Sequence, residues 1–150
     1  MLLLDFSSDF AGRPFPHPHL RKQRNVWAWE QYLRQVKRLE SIDDDRIPFI
    51  DTATGTEIFA EAFGCQVEYP EDNMPFALPF VESVEAAESL TVPSLDATPL
   101  WGVINNAQQL FDRSGGEALL RMPDVQTPMD VAALIWEKRS FYPALLEAPE

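Results

Sequence analysis

The chain has 150 residues with one cysteine, 13 prolines and 6 glycines, and it carries 12 Lys and Arg against 24 Asp and Glu for a net charge of −12. This length fits one domain with a real core, since a chain of this size buries about 68–70% of its unfolded surface, and the single Cys65 excludes an internal disulfide framework and favours a reducing, cytoplasmic setting. Hydrophobic content of 45% argues against disorder, no apolar run approaches the ~20 residues of a membrane helix, and the opening Met1-Leu-Leu-Leu lacks a basic flank and meets Asp5 at once, unlike a signal peptide.

Residues 1–19 form a proline-punctuated arm, because Pro14, Pro16 and Pro18 alternate with Phe15, His17 and His19 and a proline at every second position forbids a helix. Residues 20–40 contain neither Gly nor Pro. Val26, Trp29, Leu33, Val36 and Leu39 recur there at a spacing of three or four, which predicts a long amphipathic helix with its Arg and Lys outward. Glu30 and Glu40 argue against a calmodulin-target or membrane-surface role for it. From Ile47 to Asp112 no Lys or Arg occurs, and 11 acids stand alone, a pattern that suits a solvated surface or a docking face. A chain this acidic, with its basic residues concentrated on one helix, is a poor nucleic-acid binder.

After the acidic turn at Asp43-Asp44-Asp45, residues 46–51 read as a short apolar strand ending in Asp51. Residues 56–63 read as a helix stopped by Gly64, and residues 65–69 alternate as a strand. Residues 70–79 form an irregular, apolar loop. Helices follow at 84–89 and 100–113, the second ended by Gly115-Gly116. Residues 117–122 predict a buried strand, and helices over 129–138 and 141–147 close the chain. Strands alternating with helices are the pattern of parallel α/β folds.

In such folds catalytic groups collect at the carboxyl ends of strands. Asp51 ends the first strand and Asp124 lies just past the later one, so either carboxylate could take a proton or stabilise a cation. Each also has a structural alternative: Asp51 as a turn cap, and Asp124 as a partner of Thr127 or a backbone amide. His17 and His19 with one distant cysteine do not make a zinc site, and a surface loop is the expectation for them. Cys65 reads as a core thiol. Phosphate loops and serine elbows are absent. The segment from Met74 to Phe80 could bind a flat organic ligand or plug a core.

The runs Gly55-Thr-Glu-Ile-Phe-Ala-Glu-Ala-Phe-Gly-Cys65, Pro75-Phe-Ala-Leu-Pro79 and Pro123-Asp-Val-Gln-Thr-Pro-Met-Asp-Val-Ala-Ala133, with Pro149-Glu150 at the end, resemble the uroporphyrinogen decarboxylase superfamily. That group includes the tetrapyrrole decarboxylase and the cobamide-dependent methyltransferases, which pass methyl groups between a corrinoid protein and a thiol or similar acceptor. The decarboxylase's arginine-bearing segment is matched by Asp9-Phe-Ala-Gly-Arg-Pro-Phe-Pro16, which keeps Arg13 and has Asp9 for the other arginine. The family's essential aspartate, counted from the following helix, falls on Gly55, whereas the strand end offers Asp51; its tyrosine falls on Leu134. These departures suit the methyltransferases better, whose His-x-Cys and later Cys zinc ligands belong to a C-terminal half beyond this chain.

The resemblance implies an α/β fold: a partial (β/α)8 TIM-type barrel in which residues 1–150 supply the N-terminal helices and the first two or three βα units. A whole barrel takes about 250 residues. Residues 1–19 would be the arm, 20–40 the long helix and 46–150 the first βα units of a single incomplete domain. The implied function is the N-terminal part of a uroporphyrinogen-decarboxylase-like enzyme in corrinoid-linked methyl transfer; the alternatives are tetrapyrrole carboxy-lyase activity and a non-catalytic fragment acting by association. Arg13 would clamp an anion and Asp51 act as acid, base or electrostatic group, with Gly12, Phe15, Phe76, Asp124, Gln126 and Asp130 around the substrate. No metal or cofactor is expected in this chain, and corrinoid or zinc would come with the C-terminal half. The expected partners are a tetrapyrrole or methylated small molecule, a corrinoid protein, and either a second copy or the missing half.

Overall fold

The computed structural model describes residues 12–42, 45–52 and 54–148. Asp9, Asp43, Asp44 and Pro149-Glu150 lie outside the described residues. The chain is a mixture of helices and short strands: α1 (Arg21–Leu39), β1 (Phe49–Asp51), α2 (Glu57–Ala62), β2 (Gln66–Glu68), β3 (Phe76–Leu78), α3 (Val84–Glu88), α4 (Pro99–Arg113), β4 (Leu119–Arg121), α5 (Pro128–Ile135) and α6 (Lys138–Glu147). It packs as two units, Met1–Ala53 with Asn106–Pro123, and Thr54–Asn105 with Asp124–Glu150. No helix among the described residues is long and apolar enough to cross a membrane.

In the first unit β1 and β4 pair in parallel, with Phe49 opposite Leu119, Ile50 opposite Leu120 and Asp51 opposite Arg121. This pair is parallel, as the alternation of strands and helices suggests, whereas β2 and β3 pair antiparallel. Ile50 is fully buried with Ala28, Leu110 and Ala118, and Trp27, Trp29 and Tyr32 pack around them. Of the predicted stripe of α1 only Trp29 packs on this core: Val26, Leu33, Val36 and Leu39 are exposed, and Ala28 is the buried residue of the helix. The inward side carries a different device. The Gln35 side-chain amide donates to the Phe49 carbonyl at 3.0 Å and accepts from the Phe49 N–H at 3.2 Å, so it stands in for a neighbouring strand at that residue. Arg113 lies over the Trp29 ring at 4.2 Å, a cation–π contact. Past α4, Gly115 and Gly116 both take positive φ and reverse the chain into β4. β4 is exposed along its whole length, contrary to the buried strand expected there.

In the second unit Gly64, at φ +103°, ends α2 as expected. β2 follows, and β3 runs back antiparallel to it with Val67 opposite Ala77. The irregular loop expected over 70–79 thus contains a strand, because its Phe-Ala-Leu run can use the ladder that β2 offers. The core gathers Ala60, Cys65, Val81 and Ile135, with Phe63, Ala77, Val131, Leu134 and Trp136 packed against it. Cys65 is the core thiol expected, and burial pushes its pKa up. The single helix expected over 129–138 stops at Ile135, since Trp136 is extended and bridges Val81. The Val81 N–H donates to the Ile135 carbonyl at 3.0 Å, and the Glu137 N–H donates to the Val81 carbonyl at 2.7 Å. Two backbone bonds to Val81 outweigh one more helical turn.

Candidate active site

β1 is a hydrophobic strand that ends on a charge, and so is β4. Parallel pairing makes Asp51 and Arg121 register partners, and paired residues project from the same face of a sheet. The two groups therefore emerge together at the carboxyl ends of both strands, the position where loops over a parallel sheet build sites. Arg121 Nη1 lies 3.7 Å from Asp51 Oδ2. Arg13 comes from the arm, just after Gly12, whose φ of +70° turns the chain; its Nη1 lies 4.0 Å from the same Oδ2. The Asp51 side chain is only 9% exposed, against 29% for Arg13 and 49% for Arg121. Both separations exceed the ~2.7–2.9 Å of a charge-assisted hydrogen bond, so the guanidiniums flank that oxygen.

Two guanidiniums stand beside one carboxylate in a chain of net charge −12. The arrangement can attract an anionic group to its exposed arginine side and present a nearly buried carboxylate beneath it. Thr52, itself buried, points its hydroxyl at the Arg121 carbonyl at 3.4 Å and ties the two strand ends. The Arg121 guanidinium also lies 5.7 Å from the Phe49 ring centre.

Of the predicted site residues, Arg13 and Asp51 come together, and Gly12 precedes Arg13 in the chain. Phe15 stacks on His17 at 5.6 Å, and the His17 and His19 rings lie tilted to each other at 5.4 Å. His17 is buried rather than part of a surface loop, whereas His19 is exposed as expected. Phe76, Asp124, Gln126 and Asp130 belong to the second unit. Phe76 sits in β3 and is exposed, as is Asp124. Asp130 is a capping residue: its Oδ2 accepts from the Thr127 N–H at 3.1 Å, and the Thr127 hydroxyl accepts from the Asp130 N–H at 3.3 Å. Thr127 therefore partners Asp130, where Asp124 was the expectation. Leu134, at the family's tyrosine position, packs into the core. Arg121 was not anticipated. A charge ending an apolar run was its signal, but its meaning depends on β4 lying beside β1.

A second polar group lies on α2 and after β2. Tyr69 hydrogen-bonds Glu61. Burial raises the Glu61 pKa, with the Tyr69 bond opposing that shift. Burial also raises the Tyr69 pKa, helped by the charges of Glu61 and Glu57. The Glu57 carboxylate folds back over Gly55, in the space a Cβ would take. No group of three His, Cys, Asp or Glu side chains among the described residues could hold a metal ion.

No family model and no curated protein matches this sequence. Among solved structures, a methyltransferase from Methanosarcina mazei superposes with a TM-score of 0.64 over 95% of this chain, at 15% sequence identity. That likeness is one of fold. This chain spans 40% of the length of that methyltransferase.

Proposed function

We propose that this chain is the N-terminal part of a uroporphyrinogen-decarboxylase-like barrel engaged in corrinoid-linked methyl transfer. The observation that carries this reading is Asp51, nearly buried at the carboxyl end of a parallel strand with Arg13 and Arg121 beside one of its oxygens. The fold likeness to a methyltransferase supports the same choice. A thiol that accepts a methyl group loses its proton, and Asp51 is the carboxylate positioned to receive it. Arg13 and Arg121 hold the anionic end of the acceptor. A corrinoid would supply the methyl group.

Tetrapyrrole carboxy-lyase activity is the second reading, and one observation favours it. Arg121 brings a second guanidinium to a site where the matched segment keeps only Arg13. The two are separated by titrating the chain with methylcobalamin and with uroporphyrinogen. Methyl transfer requires binding of the corrinoid, and an anionic thiol acceptor added with it should bind about tenfold or more weakly after Arg13→Ala or Arg121→Ala, a loss of about 1.4 kcal/mol. Binding of uroporphyrinogen alone selects the second reading, and binding of neither leaves association without catalysis.

A further inference from the structure

We propose that the exposed face of the β2–β3 ladder is a docking surface for α1 of a second copy of this chain, so that two copies associate reciprocally. In β3, Phe76 and Leu78 stand two residues apart and share one face of the ladder, and their register partners Glu68 and Gln66 lie on that face with them. All four are exposed, Phe76 by 48%. The opposite face carries Ala77, which packs into the core of its own unit. Of the uses the sequence allows for residues 74–80, plugging a core thus falls to small residues, while Met74, Phe76, Leu78 and Phe80 are turned to solvent. Around them, residues 66–88 hold six exposed acids, Glu68, Glu71, Asp72, Glu82, Glu85 and Glu88, and no Lys or Arg.

α1 supplies the complement. Val26, Leu33 and Val36 are exposed, and steps of seven and three residues keep them on one side of the helix. Lys22, Arg34 and Lys37 are exposed on the same helix, and among the described residues Lys22 and Lys37 form no ion pair. α1 holds six of the chain's 12 Lys and Arg, with Glu30 as its one acid. An apolar stripe flanked by cations therefore meets an apolar strip flanked by carboxylates, in the manner of an amphipathic helix laid on an apolar surface. Neither face suits a copy of itself, because sheet on sheet would set acids against acids and helix on helix would set cations against cations. A two-fold axis forms the contact twice, with α1 of each copy on the ladder of the other, and this local attraction opposes the general repulsion between chains of net charge −12. The pairing uses neither Asp51 nor its arginines and does not rest on methyl transfer.

The test is sedimentation equilibrium of the parent chain and of two variants, Leu33→Glu/Val36→Glu on the helix and Phe76→Lys/Leu78→Lys on the ladder. All four positions are exposed, so the far-UV spectra should be unchanged. The parent is expected to be a reversible dimer, and each variant should raise its dissociation constant about thirtyfold or more, the scale of losing a central apolar anchor. An equimolar mixture of the two variants should dimerise again, because each has kept the face that the other has lost and the new Glu side chains meet the new Lys side chains. Val92→Lys, a charge change at an exposed position outside both surfaces, should leave the dimer intact. A monomeric parent, a dimer lost in only one variant or in neither, a mixture that stays monomeric, loss of the dimer in Val92→Lys, or assembly that grows without limit would each overturn the proposal. Corrinoid or uroporphyrinogen binding is read separately, so failure of the dimer and failure of the methyl-transfer reading are distinguishable.

Discussion

Asp51 and Arg121 end two parallel strands as register partners, and their side chains meet at 3.7 Å. Opposite charges at paired strand ends help define register, because a slip of one residue would set Asp51 against Leu120 or Met122. One contact thus serves the fold and the candidate site together. Its two halves are unequal, since the carboxylate is nearly buried and the guanidinium is half exposed.

That inequality predicts asymmetric mutants. Arg121→Ala removes a solvent-screened partner and should cost less than about 1 kcal/mol. Asp51→Leu leaves Arg13 and Arg121 facing each other without their carboxylate and should cost more than Arg121→Ala. Urea denaturation of both single mutants and the double mutant measures the coupling, and equal costs for the two single changes would contradict the geometry.

Gln35 and Phe49 give a second prediction. The amide satisfies both backbone groups of Phe49, so Gln35→Leu keeps the bulk and removes both bonds. Leaving buried donors and acceptors unpaired costs about 1–3 kcal/mol each; because Phe49 is partly buried, a total loss of about 1–3 kcal/mol is expected. Gln35→Glu should be intermediate, since a carboxylate still accepts from the Phe49 N–H but cannot donate to its carbonyl. Amide exchange at Phe49 should rise in Gln35→Leu and much less in Gln35→Glu, which keeps an acceptor for that N–H.

Several elements were legible in the sequence because they depend on neighbours in the chain. The stop at Gly64, the turn at Gly115-Gly116 and the long helix need only local φ, propensity and spacing. The alternation of strands and helices pointed to parallel pairing, but which strand lies beside β1 was not legible. What was hidden depends on contacts far apart in the chain. The apolar spacing of Val26, Leu33, Val36 and Leu39 marks a helix correctly but does not say which side meets the sheet, and the Ala28 and Gln35 side does. β3 needed β2 as a template, and α5 ended early because Val81 offered two backbone bonds. In the site, Arg13 and Asp51 were found from a strand end and a matched segment, whereas Arg121 acquired its role only through pairing across 69 intervening residues.

The capping pair at the start of α5 yields a third prediction. Thr127 and Asp130 satisfy each other's backbone N–H groups, so Thr127→Ala or Asp130→Ala should each cost about 1 kcal/mol of stability. Ligand binding at Asp51 should be unchanged in both. A binding defect in Asp130→Ala without loss of stability would return Asp130 to the pocket rim that the sequence suggested.

The Glu61–Tyr69 pair sets a pH dependence whose sign can be worked out. Burial raises the Glu61 pKa above its ordinary value of 4.5, and the Tyr69 hydroxyl bond only partly offsets this. A group whose folded pKa is raised binds its proton more tightly when folded, so its stabilisation is complete below pH 4.5 and is lost as pH rises through the folded value. At pH 7 the ionised carboxylate therefore works against folding. Glu61→Gln keeps an acceptor for Tyr69 and removes the charge, so the variant should be more stable than the parent at pH 7, with the advantage vanishing below pH 4.5. The same change removes a charge that raises the Tyr69 pKa, so the phenol absorbance of the variant should titrate at lower pH than in the parent. Comparing parent and variant cancels the general effect of neutralising a chain of net charge −12. A stability difference independent of pH would mean that Glu61 is not desolvated in the folded protein.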